Sequence, residues 1–255
     1  AKVIVGKENV IDYYLTALLA QGHILVEDVP GTGKTKLSKA FAISMGMDFS
    51  RIQFTADMLP ADITGLRFYN SKEADFRIRK GPIFSNIVLA DEINRATPKA
   101  QSALLECMEE GQVTIDGNSF VLEKPFMVVA TQNQIETAGT FVLPEAQLDR
   151  FMLKINMGYP SPDDEMEIIN KYYNSDPLDE LEPVCTRQDI IRMINEADLV
   201  TADDEVRRYI VKLVNETRNN SNIAIGASPR ATLALLSAAK ANAYINGKTS
   251  CSIDD

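Results

Sequence analysis

Residues 24–38 read ILVEDVPGTGKTKLS. An apolar run, Ile24-Leu25-Val26, enters a turn-rich loop from Asp28 to Gly33, and the loop opens into a helix-like segment at Lys34-Thr35. This is the strand–loop–helix form of a phosphate cradle. Backbone N–H groups of the loop and of the helix N-terminus converge on one place, and the helix dipole adds positive potential there. In such a cradle Lys34 reaches the β- and γ-phosphates and the Thr35 hydroxyl holds Mg²⁺. Gly31 and Gly33 permit positive φ and let phosphate oxygens approach with no Cβ in the way. The usual pattern carries Gly at the position that Asp28 occupies. The alternative is a tight turn that caps an ordinary helix, but Gly-Lys-Thr after a buried strand is rarely accidental.

The chain has 255 residues, 45% of them apolar, enough for one large domain or two small ones with a sizeable core. No stretch approaches the ~20 apolar residues of a membrane span and none has the form of a signal peptide, so a cytoplasmic protein is expected. The three cysteines, Cys107, Cys185 and Cys251, form no C-x-x-C pair, which argues against a disulfide framework or a zinc site. A net charge of −10 argues against a nucleic-acid partner, for which a basic face is usual. The start in mid-pattern at Ala1 and the stop at Asp255 after a possible helix start are what an excised core would show.

Reading outward from the loop, an amphipathic helix carries Val10, Ile11, Tyr14, Leu15, Leu18 and Leu19 at helical spacing. Strands are expected at 23–27, 50–54, 87–90, 126–130 and 151–155. The continuous apolar runs among them suit buried parallel strands. Phe76 to Lys80 alternates and stops at Gly81-Pro82, as one arm of a hairpin would. Gln112–Ile115 and Ser119–Leu122 flank Asp116-Gly117-Asn118, a strong hairpin signal. After Tyr159-Pro160-Ser161-Pro162 the strand signal ends. Capping-box patterns at Ser161…Asp164, Thr186…Asp189 and Thr201…Asp204, and a start at Ser228-Pro229, then predict helices. The expected fold is α/β: a parallel-sheet domain over residues 1–158, sandwiched by helices, and a small all-helical domain over 160–255.

Asp91-Glu92 closes a buried strand, at the edge where open α/β sheets bind ligands. Beside a phosphate cradle Asp91 can hold Mg²⁺ through its water shell and Glu92 can polarise an attacking water. The two could instead cap the next helix. Asn133 follows another buried strand, where its amide could orient that water or make an Asx turn.

These residues together resemble a known group. Val29-Pro30-Gly31-Thr32-Gly33-Lys34-Thr35 resembles the Walker A loop of AAA+ ATPases, and Leu89-Ala90-Asp91-Glu92-Ile93-Asn94-Arg95-Ala96 their Walker B strand. Ala130-Thr131-Gln132-Asn133, Leu143-Pro144-Glu145-Ala146-Gln147-Leu148-Asp149-Arg150-Phe151 and Gly226-Ala227-Ser228-Pro229-Arg230-Ala231 together resemble the MoxR family. The resemblance runs from Val5-Gly6 to about residue 246. Gln134, where the family often has Pro, is a small departure. The resemblance implies an AAA+ core with a helical lid, ATP and Mg²⁺ as cofactors, and Lys36 beside the loop's other nucleotide contacts. It implies Asn133 as sensor 1, Arg150 as an arginine finger reaching a neighbouring subunit, and Arg230 as sensor 2. Val5 and Gly6 would flank adenine, residues 59–82 would form the helix 2 insert, and the hairpin at Asp116-Gly117 the insertion before sensor 1. The family works as homo-oligomeric rings, usually hexamers, that remodel or activate partners, often proteins with von Willebrand factor A domains.

Two of these roles have independent physical readings. Arg230 lies in the first turn of a helix, where a cation opposes the dipole at a cost of about 0.3–1 kcal/mol when exposed, so a phosphate partner explains it better than helix stability. Arg150 has a second account: pairing with Asp149 or Glu145, or capping a carbonyl. No Asn-Lys-x-Asp guanine motif occurs, which favours ATP over GTP. The competing function is a nucleic-acid translocase or helicase-like motor. Against it, the hairpin region from Glu110 to Lys124 sets Glu110, Asp116 and Glu123 against one Lys, a poor phosphate-tracking surface.

Overall fold

The computed structural model describes residues 2–27, 29, 31–133 and 140–255. In chain order the first elements are α1 (Glu8–Leu19), β1 (Ile24–Glu27), α2 (Lys34–Ser44), β2 (Phe49–Gln53) and α3 (Pro60–Thr64). Next come β3 (Gly65–Asn70), β4 (Asp75–Lys80), β5 (Ile87–Asp91), α4 (Pro98–Glu110), β6 (Gln112–Ile115), β7 (Asn118–Val121) and β8 (Met127–Gln132). Then follow α5 (Glu145–Leu148), β9 (Leu153–Ile155), α6 (Pro162–Tyr172), α7 (Arg187–Leu199), β10 (Thr201–Ala202), α8 (Asp204–Asn219), α9 (Pro229–Ile245) and β11 (Ser250–Cys251).

One five-stranded sheet runs in the order β2-β5-β8-β1-β9, with every pairing parallel. Its three central strands, β5, β8 and β1, are buried on both faces, which is why they read as unbroken apolar runs, whereas the edge strands β2 and β9 are only partly covered. The period of two then divides each strand between two cores. Ile24, Val26, Ile87, Leu89, Met127 and Val129 pack with α1 and α2 residues such as Leu18 and Phe41. Leu25, Val88, Ala90, Val128 and Ala130 pack on the opposite face with Leu104 and Leu105 of α4. Ile190, Ile194 and Ala197 of α7 and Ala241 of α9 join the first of these cores, which fastens the C-terminal helices to the sheet.

Both expected hairpins form. β3 pairs antiparallel with β4, and β6 with β7 through Asp116 (φ 47°) and Gly117 (φ 79°), a turn that needs positive φ at both central positions. Capping boxes form at Ser161–Asp164 and Thr186–Asp189. The third differs. Asp203, not Thr201, caps α8, its Oδ1 accepting from the Val206 N–H at 2.9 Å. Thr201 is drawn instead into a two-residue parallel pairing of β10 with β11, a small addition to the otherwise helical C-terminal part.

His23, the single histidine, sits just before β1 and is buried. Its Nδ1 accepts from the Val128 N–H at 3.0 Å, which leaves Nε2–H to donate to the Met108 carbonyl at 3.1 Å. The ring therefore joins the starts of β1 and β8 to the end of α4 as a neutral imidazole. Burial pushes its pKa down to about 4, against a smaller upward pull from the Met108 bond. The unfolded chain, with histidine near pKa 6.5, thus binds a proton that the folded chain refuses. Stability is fully present above about pH 6.5 and falls as pH drops toward 4, by roughly 3 kcal/mol over the whole window. A thermal midpoint that falls between pH 7 and 5, with an imidazole NMR signal that stays neutral at pH 5.5, is the expected result. A midpoint indifferent to pH over that range would count against it.

Candidate active site

Because all five strands are parallel, every loop that follows a strand opens at one edge of the sheet. The loop after β1, Asp91-Glu92 at the end of β5 and Asn133 after β8 gather there. β8 lies between β5 and β1, so Asn133 stands between the two carboxylates and the loop. Gly31 (φ 85°) and Gly33 (φ 86°) both take the left-handed conformation, and Gly33 hands the chain to α2. A Cβ built at either glycine meets no atom within 4 Å, so the need for glycine is conformational and the loop's surface is clear. Thr32 Oγ1 and Lys34 Nζ both donate to the Val29 carbonyl, at 3.4 and 3.1 Å. Thr35 occupies the first turn of α2, half-buried. Pro30 and Asp28 lie outside the described residues, as does Gln134.

The carboxylates are held by residues that the sequence did not single out. Asp91 Oδ1 accepts from the Thr131 hydroxyl at 2.6 Å, and Oδ2 accepts from Arg51 Nε and Nη2 at 3.1 and 2.7 Å. Glu92 takes a left-handed backbone (φ 57°, ψ 48°), an unusual state for a residue with a side chain. It is fixed by its N–H donating to Thr131 Oγ1 at 2.8 Å. Such strain concentrates at functional positions. Glu92 Oε2 accepts from Gln53 Nε2 at 2.7 Å and pairs with Arg95 Nε at 3.2 Å. So Asp91 and Glu92 are directed by side chains, and neither side chain caps a helix: Glu92 leads into a 3-10 turn at Ile93–Arg95 without a side-chain cap bond, and Thr97 precedes α4. The buried Asn133 carbonyl accepts from Asn94 Nδ2 at 3.4 Å.

The donor set fits a hard cation bound with nucleotide. The Thr35 hydroxyl and the Asp91 carboxylate supply oxygen, and a carboxylate with two accepted partners keeps lone pairs for water. Among the described residues no group of three or more His, Cys, Asp or Glu is placed to hold a metal by itself. Magnesium commonly takes its remaining ligands from phosphates and water.

Beside the loop lies a cavity of about 230 Å³ walled by Val5, Met157, Ile168 and Tyr172 and bounded by Gly31 to Gly33. Gly6 (φ 63°) turns the chain at its rim, where an added Cβ would strike the Asp164 carboxylate at 2.5 Å. Lys7 Nζ donates to the Met157 carbonyl at 2.6 Å, which ties this turn to the segment after β9. Lys36 lines the same cavity, but its ammonium pairs with Asp176 at 2.9 Å and sits 3.8 Å over the Tyr172 ring. Burial pulls the Lys36 pKa down, and the Asp176 and Tyr172 contacts outweigh it, so the net shift is upward.

Arg150 and Arg230 are elsewhere. The Met152 N–H donates to the His23 carbonyl at 2.9 Å, and Leu153 registers with Ile24, so Arg150 lies at the N-terminal edge of the sheet. The loop after β1 is at the opposite edge, the length of a four-residue strand away, roughly 13 Å or more. Arg150 Nη2 pairs with Glu109 Oε2 at 2.7 Å, not with Asp149 or Glu145. Arg230 Nη2 donates to the other oxygen, Glu109 Oε1. A cavity of about 610 Å³ opens beside this cluster.

Comparison with known proteins bears on the family and the fold. The ATPase family associated with various cellular activities (AAA) matches residues 23–153, and the AAA lid domain matches 215–255. Chaperone MoxR1 of Mycobacterium tuberculosis is 43% identical over 97% of this chain and 67% of its own length. The chain belongs to the MoxR family of AAA+ ATPases. YeaC of Bacillus subtilis, an uncharacterized protein, is 51% identical over all of this chain and 79% of its own length. A crystal structure of a candidate ATPase from Cytophaga hutchinsonii superposes with a TM-score of 0.91 at 40% identity, over 99% of this chain and 79% of that one. The AAA and lid matches fall on the parallel sheet and on the last helices respectively, so the MoxR-family fold expected from the motifs is the fold observed.

Proposed function

We propose that this MoxR-family chain is an ATP-hydrolysing, Mg²⁺-dependent subunit of a homo-oligomeric ring, a hexamer by family resemblance, that remodels or activates partner proteins. The observation that carries the ring is the separation of Arg150 and Arg230 from their own chain's phosphate cradle by the length of the sheet. Arginines that serve a γ-phosphate from there serve a neighbour's. On this reading residues 1–158 form the nucleotide-binding domain and 160–255 the lid.

Placement at the two edges supports the following roles. The loop from Pro30 to Thr35 cradles the phosphates, and Val5, Gly6 and Lys36 border the nucleotide's adenine cavity. Thr35, and Asp91 through water, would hold Mg²⁺, which would supply charge neutralisation at the phosphates. Asn133 orients a water, and Glu92 takes its proton as the water oxygen bonds to the γ-phosphorus. The bond from that phosphorus to the bridging oxygen breaks, and ADP leaves with the electron pair. Arg150 and Arg230 of the adjacent subunit stabilise the charge that develops on the transferring group. A partner with a von Willebrand factor A domain and a cytoplasmic setting rest on family resemblance. Among the described residues no helix is long and apolar enough to cross a membrane.

The test is sedimentation with and without ATP, run beside turnover per subunit over a range of protein concentration. Turnover per subunit should rise as rings assemble. Flat turnover from a protein that stays monomeric would rule the shared site out.

A further inference from the structure

We propose that Glu109 is a positioning residue that holds Arg150 and Arg230 as one two-guanidinium unit for the terminal phosphate of a neighbouring subunit's nucleotide. The inference rests on the ring reading above and adds to it a residue and a device. Glu109 gives one carboxylate oxygen to each arginine. The two oxygens of a carboxylate are spaced much like two oxygens of a phosphate, so guanidinium groups that share this carboxylate are set at a separation that one phosphate can bridge. Without a carboxylate between them the two cations would repel and spread.

Helix stability does not explain the cluster. Glu109 lies in the last turn of α4, where an acid opposes the helix dipole, and no basic residue accompanies it in that turn. Arg230 is the second residue of α9, where a base opposes the dipole, and that first turn has no acid. Each is on the wrong end of its helix, and each finds the other across a sequence separation of 121 residues. Half-exposed ion pairs of this kind contribute little to stability. With side-chain exposures of 29% for Arg150, 44% for Arg230 and 34% for Glu109, the cluster can be reached from outside.

A second contact keeps the unit in register. Asp149, next to Arg150, accepts from the Ser228 hydroxyl at 2.7 and 2.9 Å. Ser228 is itself the cap of α9, accepting from the Ala231 N–H at 3.1 Å, two residues before Arg230. The turn that carries one arginine is thus bonded to the helix start that carries the other. Movement of α9 relative to the sheet would separate the pair, which links the position of the lid to the competence of the adjoining site.

Mixed rings test this. A Glu92→Gln subunit keeps its arginines and cannot turn over, whereas an Arg150→Ala subunit keeps its own cradle and lacks the finger. Mixed, they should regain turnover that neither has alone. Glu109→Gln added to the Glu92→Gln donor should lower the turnover of the mixture by about ten- to hundredfold with KM for ATP unchanged, as a small misplacement of a catalytic group does. The same change added to the Arg150→Ala acceptor should leave the mixture within about twofold, since that subunit's unit is already broken. Binding of fluorescent ATP by each variant reports folding, and if Glu109→Gln donors do not enter rings, Glu109→Asp carries the same comparison. A working mixture indifferent to Glu109→Gln in the donor, or equally impaired when the acceptor carries it, overturns the assignment of Glu109 alone. A parent mixture with no regained turnover overturns the shared-site reading and this assignment with it.

Discussion

Glu92→Gln should abolish turnover while ATP binding stays intact. General bases contribute about 10²–10⁴-fold, and the assembled ring is expected to lose at least that much. The substitution keeps side-chain length and keeps an oxygen that can accept from Gln53, whose amide lies 2.7 Å from Glu92 Oε2. It leaves untouched the Glu92 N–H bond to Thr131 that fixes the left-handed backbone. The loss should therefore be chemical and not structural. Equilibrium binding of a fluorescent ATP analogue should match the unaltered protein, and phosphate release should fall to background. Turnover within a few-fold of the unaltered ring would remove Glu92 from the role of base.

Arg150→Ala is expected to cost about 10³–10⁵ in ring turnover, the range that arginine fingers supply in other nucleotide hydrolases. Monomer binding of ATP should not change, because Arg150 is at the sheet edge away from its own cradle. The fold should tolerate the change as well. Glu109 keeps Arg230 as its partner, so no carboxylate is left unpaired, and the lost ion pair is half-exposed. The measurement is turnover of the pure variant against its ATP affinity. A fully active Arg150→Ala ring would end the trans role.

The two substitutions probe opposite edges of one sheet, and they differ in how far the sequence announced them. Glu92 follows a buried apolar strand directly, so strand period and motif spacing place it at the ligand-binding edge. Arg150 carries no such local signal. Its placement depends on β9 pairing parallel to β1, and its partner lies far off in the chain: Asp149 is adjacent and Glu145 five residues away, yet Glu109 takes the contact. The same holds for Arg51. It reads as an ordinary residue in a strand, and only the pairing of β2 with β5 brings it to Asp91, 40 residues away. At Thr201 a valid capping pattern lost to a neighbour, because Thr201 pairs with Ser250 and Asp203 stands two residues closer, immediately before the helix.

What the sequence determined by itself is the set of features governed by neighbours a few residues apart. These are the glycines of the phosphate loop, whose positive φ is needed whatever surrounds them, the apolar runs that become doubly buried strands, the Asp-Gly hairpin turn, and the caps at Ser161, Thr186 and Ser228. What only the tertiary structure decided is which of these meet. Strand order set Asn133 between the carboxylates and the loop, and the return of α4 along the sheet carried Glu109 to the far edge, where α9 brings Arg230. Period and capping act over one helical turn or one pleat, whereas a contact across 121 residues is fixed by topology and by the packing of two apolar cores, which no short window of sequence contains.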